Sequence, residues 1–155
     1  MTETLNPKLA LVAAHCTRRG WRFSALPNRP VIKVNYNVGG VRWSAFVKAE
    51  EHDSYVVVRA VHPEPIAPEH RAAVMEFITR VNFGILVGNF ELDLVDGELR
   101  FKTSLQLNGG ELTDAMVGGL FDANNSLYPR YRRYLLDVIE GTSNPEEAFV
   151  EADGR

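Results

Sequence analysis

The dipeptide Asp96-Gly97 constrains the fold of this chain more than any other feature of its sequence. Asp-Gly between alternating apolar residues is typical of a two-residue type I′ turn, which needs a positive φ at both central positions. Folding the chain at this turn places four pairs of residues opposite each other: Leu94 with Leu99, Leu92 with Phe101, Asp93 with Arg100, and Glu91 with Lys102. One face is then apolar, and the other carries opposite charges worth about 0.2–1 kcal/mol per pair. The sequence therefore predicts an antiparallel hairpin whose register a one-residue slip would destroy.

A second hairpin is predicted on either side of Gly39-Gly40. The strand from Val31 to Val38 alternates apolar and polar residues, and glycines can adopt the positive φ of a tight turn. The predicted cross-strand pairs are Val38 with Val41, Tyr36 with Trp43, and Val34 with Ala45. Phe46 is the exception to the pattern, because it falls on the polar face opposite Lys33.

The next strand, Tyr55 to His62, is apolar on both faces except at Arg59. Such a strand is central in its sheet, or it is covered on its second face by another surface. If helices pack on one side only, an apolar patch stays open on the other, and a second copy of the chain is the commonest way to cover it. The predicted partner or dimer surface consists of Phe46, Tyr55, Val57 and Val61. The alternative is that the terminal helix of the same chain covers Phe46.

Helix signals surround these strands. Asn6-Pro7 is a typical helix start, and the apolar stripe of Val74, Phe77, Ile78 and Val81 predicts a helix after Pro68. A helix from Leu112 to Ala123 is expected to be interrupted at Asn124 to Ser126 and followed by another that starts at Pro129. Asn144-Pro145 predicts a short terminal helix. The predicted fold is therefore α+β, a single domain over residues 1–155 with helices and an antiparallel sheet and a short acidic tail at about 142–155. The predicted order is α-β-β-β-α-β-β-α, or the same order with a fourth strand in the first meander.

Composition excludes several function classes. Seventeen basic and twenty acidic residues give a formal charge of −3, which provides no global field for nucleic acid or anionic lipid. The N-terminus lacks a secretory signal, and no apolar run is long enough to span a membrane. Cys16 is the single cysteine, so no disulfide within the chain indicates an oxidising compartment. We therefore expect a cytoplasmic protein, and we expect the thiol of Cys16 to be buried and inert. Phosphate-loop, hydrolase and zinc motifs are missing. We expect no cofactor, and the spacing of His52, His62 and His70 does not indicate a metal site.

One stretch has the composition of a nucleic-acid-binding element. Tyr128 to Tyr134 interleaves aromatic residues with Arg130, Arg132 and Arg133. Aromatic rings can stack on bases while arginines neutralise phosphates. The alternative interpretation is a helix with tyrosines toward the core and arginines toward water, and the acidic residues nearby favour it.

The sequence resembles the YbjN family of putative bacterial sensory transduction regulators. The resemblance lies in the stretch from Arg80 to Asp93, continues through Asp96 to Phe101 and the following helix, and includes Val138 to Gly141 and Pro145 to Ala148. It is good over about residues 68–150 and looser before that. It implies a fold similar to that of type III secretion chaperones, which commonly dimerise and bind extended segments of other proteins. It implies no catalytic residues.

We therefore expect a non-enzymatic, cytoplasmic protein-binding module, a homodimer that acts through an apolar surface. The alternatives are a ligand-sensing or small catalytic domain with a cleft that the sequence does not reveal, and nucleic-acid binding through Arg130, Arg132 and Arg133. A deep pocket with convergent polar groups would favour the first alternative.

Overall fold

The computed structural model describes residues 5–38, 40–52 and 54–153. Four helices and six strands are present in this part of the chain. In chain order they are α1 (Pro7–Arg18), β1 (Arg22–Ala25), β2 (Val31–Val38), β3 (Val41–Lys48), β4 (Tyr55–Val61), α2 (Pro68–Gly84), β5 (Asn89–Leu92), β6 (Leu99–Gln106), α3 (Asp114–Glu140) and α4 (Pro145–Asp153). The predicted α+β class and the order of its elements are confirmed, with one short strand before the meander and one helix at the end.

The strands form a single antiparallel sheet in the order β1-β2-β3-β4-β6-β5. Helices α1, α2 and α3 pack against one face of this sheet, and α4 packs on α2 and α3. We call the helix-covered side the inner face and the other side the outer face. Alternate strand residues such as Val34, Ala45, Val58 and Phe101 are fully buried on the inner face, where they form the core with the helices.

The β2–β3 hairpin has the predicted register. Val34 pairs with Ala45, Tyr36 with Trp43, and Lys33 with Phe46. Gly39 of the predicted turn lies outside the described residues. The register was predictable because apolar and polar residues alternate along these strands. A shift of either strand by one residue would have placed Tyr36 or Trp43 on the outer face.

The register predicted for the Asp96-Gly97 hairpin is wrong. Glu91 pairs with Arg100 and Leu92 with Leu99, so the Asp93 N–H donates to the Glu98 carbonyl (2.9 Å) and Leu94 is exposed in a longer loop. The loop closes because the Gly97 N–H donates to the Asp93 carbonyl (2.9 Å), and because the carboxylate of Asp93 accepts from the Val95 N–H (2.7 Å). The shift preserves the parity of the pairing, so the apolar face and the charged face stay as predicted. A hydrophobic pattern sets that parity, but it does not set the length of the loop.

The predicted interruption at Asn124 to Ser126 is also wrong, since α3 continues through Pro129. Asn124 is fully buried, and its side-chain amide donates to Thr103 Oγ1 and to the Leu120 carbonyl (3.0 Å). Tyr128 on the next turn is fully buried as well. Packing of this stretch on the sheet offsets the hydrogen bond that Pro129 removes from the helix.

The remaining helix predictions are confirmed. Asn6 caps α1 by accepting from the Leu9 N–H (3.0 Å), and its own amide donates to the Ala49 carbonyl (2.8 Å). In α2 the predicted stripe of Val74, Phe77, Ile78 and Val81 is buried. Asn144 accepts from the Glu147 N–H (2.9 Å) at the start of α4. Thus the predicted acidic tail is largely a helix docked on α2 and α3.

Candidate partner-binding surface

The outer face of the sheet is strongly basic. Seven cations lie on it in the described strands, against the single carboxylate of Glu91: Arg22, Lys33, Arg42, Lys48, Arg59, Arg100 and Lys102. The charges of these strand residues sum to +6. Because the formal net charge of the whole chain is −3, the residues outside this set have a net charge of −9. The near-neutral total therefore hides an excess of positive charge on the strands of the sheet.

The four residues predicted for a partner surface all lie on this outer face, but they differ in accessibility. Phe46 and Val61 are partly exposed, and Tyr55 is 39% exposed. Val57 is only 6% exposed, between Lys48 and Ser104 in the register. The apolar patch is consequently smaller than predicted and is surrounded by cations. It centres on Phe46, over whose ring Lys33 Nζ lies at 5.8 Å from the centroid.

A groove of about 370 Å³, which we call the basic groove, runs beside Phe46. Four apolar residues line it, namely Leu26, Val31, Phe46 and Val61. The charged residues of its lining are Arg29, Lys48, Arg59, Arg100 and Glu98. Such a groove suits a ligand that combines apolar groups with negative charge.

Arg59 differs from the other cations of the groove. It is paired in register with Phe46 on one side and with Lys102 on the other. Its Nε is buried without a hydrogen-bond partner among the described residues. Burial, and then the neighbouring Arg100, lower the pKa of Arg59. Each effect opposes the charge of the guanidinium, so the fold keeps this cation at a cost to stability.

The other cations near Arg59 are neutralised locally. Glu91 binds the Arg100 Nε (2.7 Å) and Lys102, and Glu98 binds Arg100 Nη1 (3.0 Å). Burial alone would raise the pKa of Glu91, but the hydrogen bonds from Lys102 and Arg100 outweigh burial and lower it. Lys48 binds Glu50 at 2.9 Å. Arg29 and Arg59, by contrast, have no carboxylate within ion-pair distance in the part of the chain that the structure describes.

A second pocket of about 400 Å³ lies where β3 and β4 separate beyond the Ser44–Val61 pair. It shares Phe46 and Val61 with the basic groove and is otherwise lined by residues that include Trp43, His62 and Arg42. His62 Nδ1 lies 3.1 Å from the Tyr128 hydroxyl, and burial, aided by Arg132, lowers the pKa of His62. The two pockets together make one open depression along β3.

Arg130, Arg132 and Arg133 of α3 differ in exposure. Arg130 and Arg133 are exposed and lie over the rings of Tyr131 (5.3 Å) and Tyr134 (5.7 Å), whereas Arg132 is partly buried with its Nε unpartnered. Burial raises the pKa of Cys16 to about 11, as expected for an inert thiol. In the described ranges no three potential metal ligands cluster, and none of the helices there has the length and apolarity to cross a bilayer.

A separate apolar segment projects from the fold between α2 and β5. Phe83 is 94% exposed and Leu86 is 99% exposed. The exposure of Phe83 and Leu86 was not predicted from the sequence. Lys33, Arg100 and Lys102 were predicted on the polar faces of their hairpins, but the joining of the outer-face cations into one basic surface was not predicted.

A family model described as "Putative bacterial sensory transduction regulator", YbjN, matches residues 8–136, from α1 into α3. The chain belongs to the YbjN family. The match confirms the predicted resemblance, extends it over β1 to β4, and ends before the tail residues that were included in it. The family's description is that of a regulator, and it names no enzymatic activity.

Among solved structures, the chain is similar to a crystal structure described as YbjN, a putative transcription regulator from E. coli. The TM-score is 0.59 at 14% sequence identity, over 88% of this chain and 92% of that chain. At this identity the likeness shows the YbjN fold. A search of curated proteins found no match.

Proposed function

We propose that this YbjN-family chain is a non-enzymatic regulatory protein that binds another protein on the outer face of its sheet. One observation carries the proposal: three helices cover the inner face, while the outer face has a groove and a partly exposed phenylalanine at its centre. Sheets of this size that leave a face open commonly have a polar one. Here the open face also holds Phe46 and Arg59, which has no carboxylate partner among the described residues, and this combination makes the face suitable for a partner.

The homodimer expected from the sequence is the competing occupant of this face. A symmetric contact places the same patch of both copies together. On the outer face it would bring together two surfaces that stay net positive even after the ion pairs with Glu50, Glu91 and Glu98, and like charges across an interface are costly. The charge distribution therefore favours a partner other than a second copy.

Two matched variants test the proposal. Phe46→Glu changes the outer face, and Leu86→Glu makes the same apolar-to-acidic change at an exposed site outside the sheet. Each variant and the wild type is immobilised, used to capture proteins from extract of the native cell, and also run in sedimentation velocity. We expect a captured protein that Phe46→Glu loses and Leu86→Glu retains.

The opposite pattern, with loss only in Leu86→Glu, would place the partner on the 83–87 segment and overturn the proposal. A wild type that sediments as a dimer and becomes a monomer on Phe46→Glu would show that a second copy covers the face. Equal capture by all three proteins would exclude the outer face altogether.

A further inference from the structure

We propose that the occupant of the outer face is an acidic, extended segment of the partner, which lies along β3 in the basic groove and places a carboxylate at Arg59. This inference rests on the proposed function and adds the chemistry of the partner. It follows from the distribution of paired and unpaired cations.

Lys48, Arg100 and Lys102 have carboxylate partners within the chain. Arg59 and Arg29 line the same groove without one in the described residues. A cation that is partly withdrawn from water and unpaired is destabilising, and a carboxylate from outside would relieve that cost. Glu98 lines the same groove but forms its ion pair with Arg100, so among the described residues no carboxylate lies within ion-pair distance of the partly buried Arg59.

The shape of the depression favours an extended segment. Its two pockets meet at Phe46 and Val61, and together they extend from Arg42 to Lys48 along β3. Six residue steps of a strand cover about 20 Å, which is the length of about six extended residues. Alternate side chains of such a segment can place apolar groups on Phe46 and Val61 and carboxylates toward Arg59 and Arg29.

Single-stranded nucleic acid is the other polyanion to consider, and two observations disfavour it. Binding of bases needs aromatic faces on which they can stack. Phe46 is only partly exposed, and Lys33 already lies over its ring. The residues outside the strands have a net charge of −9, which also repels a long polyanion. A short acidic segment, by contrast, contacts the outer face alone.

The experiment uses the full chain and fluorescence anisotropy. The probe is a labelled peptide of alternating glutamate and valine, about six to eight residues long to match the groove. The matched peptide has glutamine in place of glutamate, and an oligothymidylate of equal length represents nucleic acid. Arg59→Gln and the exposed control Arg130→Gln on α3 are compared with the wild type, after circular dichroism has shown that both fold.

We expect the glutamate peptide to bind at least about tenfold more tightly than the glutamine peptide, and Arg59→Gln to weaken it about tenfold, because charge-assisted contacts are lost. Arg130→Gln should change the affinity less than about twofold, in keeping with an exposed charge outside the interface. Raising the salt from about 50 to about 200 mM should weaken binding, because the groove is open to solvent. Lys33→Gln, beside Phe46, is a second variant that should weaken binding if Arg59→Gln fails to fold.

Equal binding of both peptides, tighter binding of the oligothymidylate, or no effect of Arg59→Gln and Lys33→Gln would each overturn the acidic segment. The proposed function fails separately: if Phe46→Glu still removes a captured protein while no acidic peptide binds, the partner surface stands and its proposed chemistry is wrong. If Phe46→Glu also leaves capture unchanged, both proposals fail.

Discussion

Phe46 and Arg59 lie directly opposite each other on β3 and β4, on the face of the sheet that no helix covers. On its other side, Phe46 pairs with Lys33 of β2. The ring therefore has a cation on each side across the sheet. When a ligand places an apolar group on Phe46, the adjacent groups of that ligand lie close to Lys33 and Arg59. The same small area can therefore recognise an apolar group and a negative charge together.

The first prediction concerns Gly97, which is buried at a φ of +84°. A Cβ at this position would lie 2.3 Å from the backbone carbonyl oxygen of Ile66. Because backbone cannot move away cheaply and the φ is strained for an L residue, Gly97→Ala should lower the free energy of unfolding by about 1–3 kcal/mol. Urea denaturation of the wild type and the variant measures this change in the free energy of unfolding.

The control for Gly97 is Gly119→Ala in α3. Gly119 is exposed, and a Cβ there has no heavy atom within 4 Å. Alanine at this interior helix position should raise stability by up to about 1 kcal/mol. Equal effects of the two substitutions would show that the close approach of Gly97 to Ile66 is not present.

The second prediction concerns the hydrogen bonds that fix α3 on the sheet. The Thr103 hydroxyl donates to the Leu120 carbonyl (2.9 Å) and accepts from the Asn124 amide, and Thr103 and Asn124 are both buried. Thr103→Val keeps the shape and removes the hydroxyl, so stability should fall by about 1–3 kcal/mol. Ser126→Ala, which removes an exposed hydroxyl from the same helix, should change it by less than about 0.5 kcal/mol. A neutral Thr103→Val would mean that Asn124 finds another acceptor.

The third prediction concerns Glu91 and pH. The folded state lowers the pKa of Glu91 from its ordinary value of 4.5, because the hydrogen bonds from Lys102 and Arg100 outweigh burial. A lowered folded-state pKa gives stability that is present above pH 4.5 and is lost as the pH falls through the folded-state pKa. The stability difference between wild type and Glu91→Gln should therefore be largest near neutrality and should shrink below pH 4.5.

Glu111→Gln is the control for this titration, because Glu111 is exposed in the loop before α3. Its difference from the wild type should be small at every pH. Chemical denaturation at a series of pH values gives both differences. A Glu91→Gln difference that stays constant into acid would contradict the ion pairs described for Glu91.

The fourth prediction concerns Cys16, whose side chain is fully buried in α1 and whose pKa burial raises to about 11. Only the thiolate reacts quickly with disulfide reagents. At pH 8 the native protein should react with a disulfide reagent far more slowly than the protein in denaturant. Equal rates in both conditions would show that α1 does not cover its thiol.

The two hairpins show how far the residues alone predict this fold. Both were predicted on the correct faces, since apolar alternation determines parity. The β5–β6 register was missed because Asp93 and Asp96 use their carboxylates to cap backbone N–H groups in a longer loop. Short-range patterns favour the two-residue turn, and the contact of Gly97 with Ile66 is visible only after folding.

The candidate surface was predicted in part for the same reason. Phe46 was conspicuous because it broke the alternation of β3, and this was sufficient to place it on the outer face. The role of Arg59 depends on which strands flank β4. The pairing of β4 with β6 joins residues 39 to 51 positions apart in the chain. Sequence periodicity contains no information on that pairing.

The last prediction separates a functional arginine from a structural one. If Arg59 stabilised the fold, its replacement would destabilise the protein. The structure instead gives it an unpartnered, buried Nε and a pKa lowered by burial and by Arg100.

Replacing a poorly paired, partly buried cation by an apolar residue of similar length is often neutral or stabilising. Because Arg59 is only partly buried, solvent screens part of the repulsion, and Arg59→Met should raise the free energy of unfolding by no more than about 0.5–1 kcal/mol. Lys33→Met, on the same face, should change the free energy of unfolding by less than about 0.5 kcal/mol. The same Arg59→Met protein should bind the glutamate peptide about tenfold more weakly.

A gain in stability together with a loss of binding is the pattern of a residue kept for recognition, since binding sites commonly reduce stability. A loss of stability above about 1 kcal/mol in Arg59→Met would instead show that the fold depends on this cation.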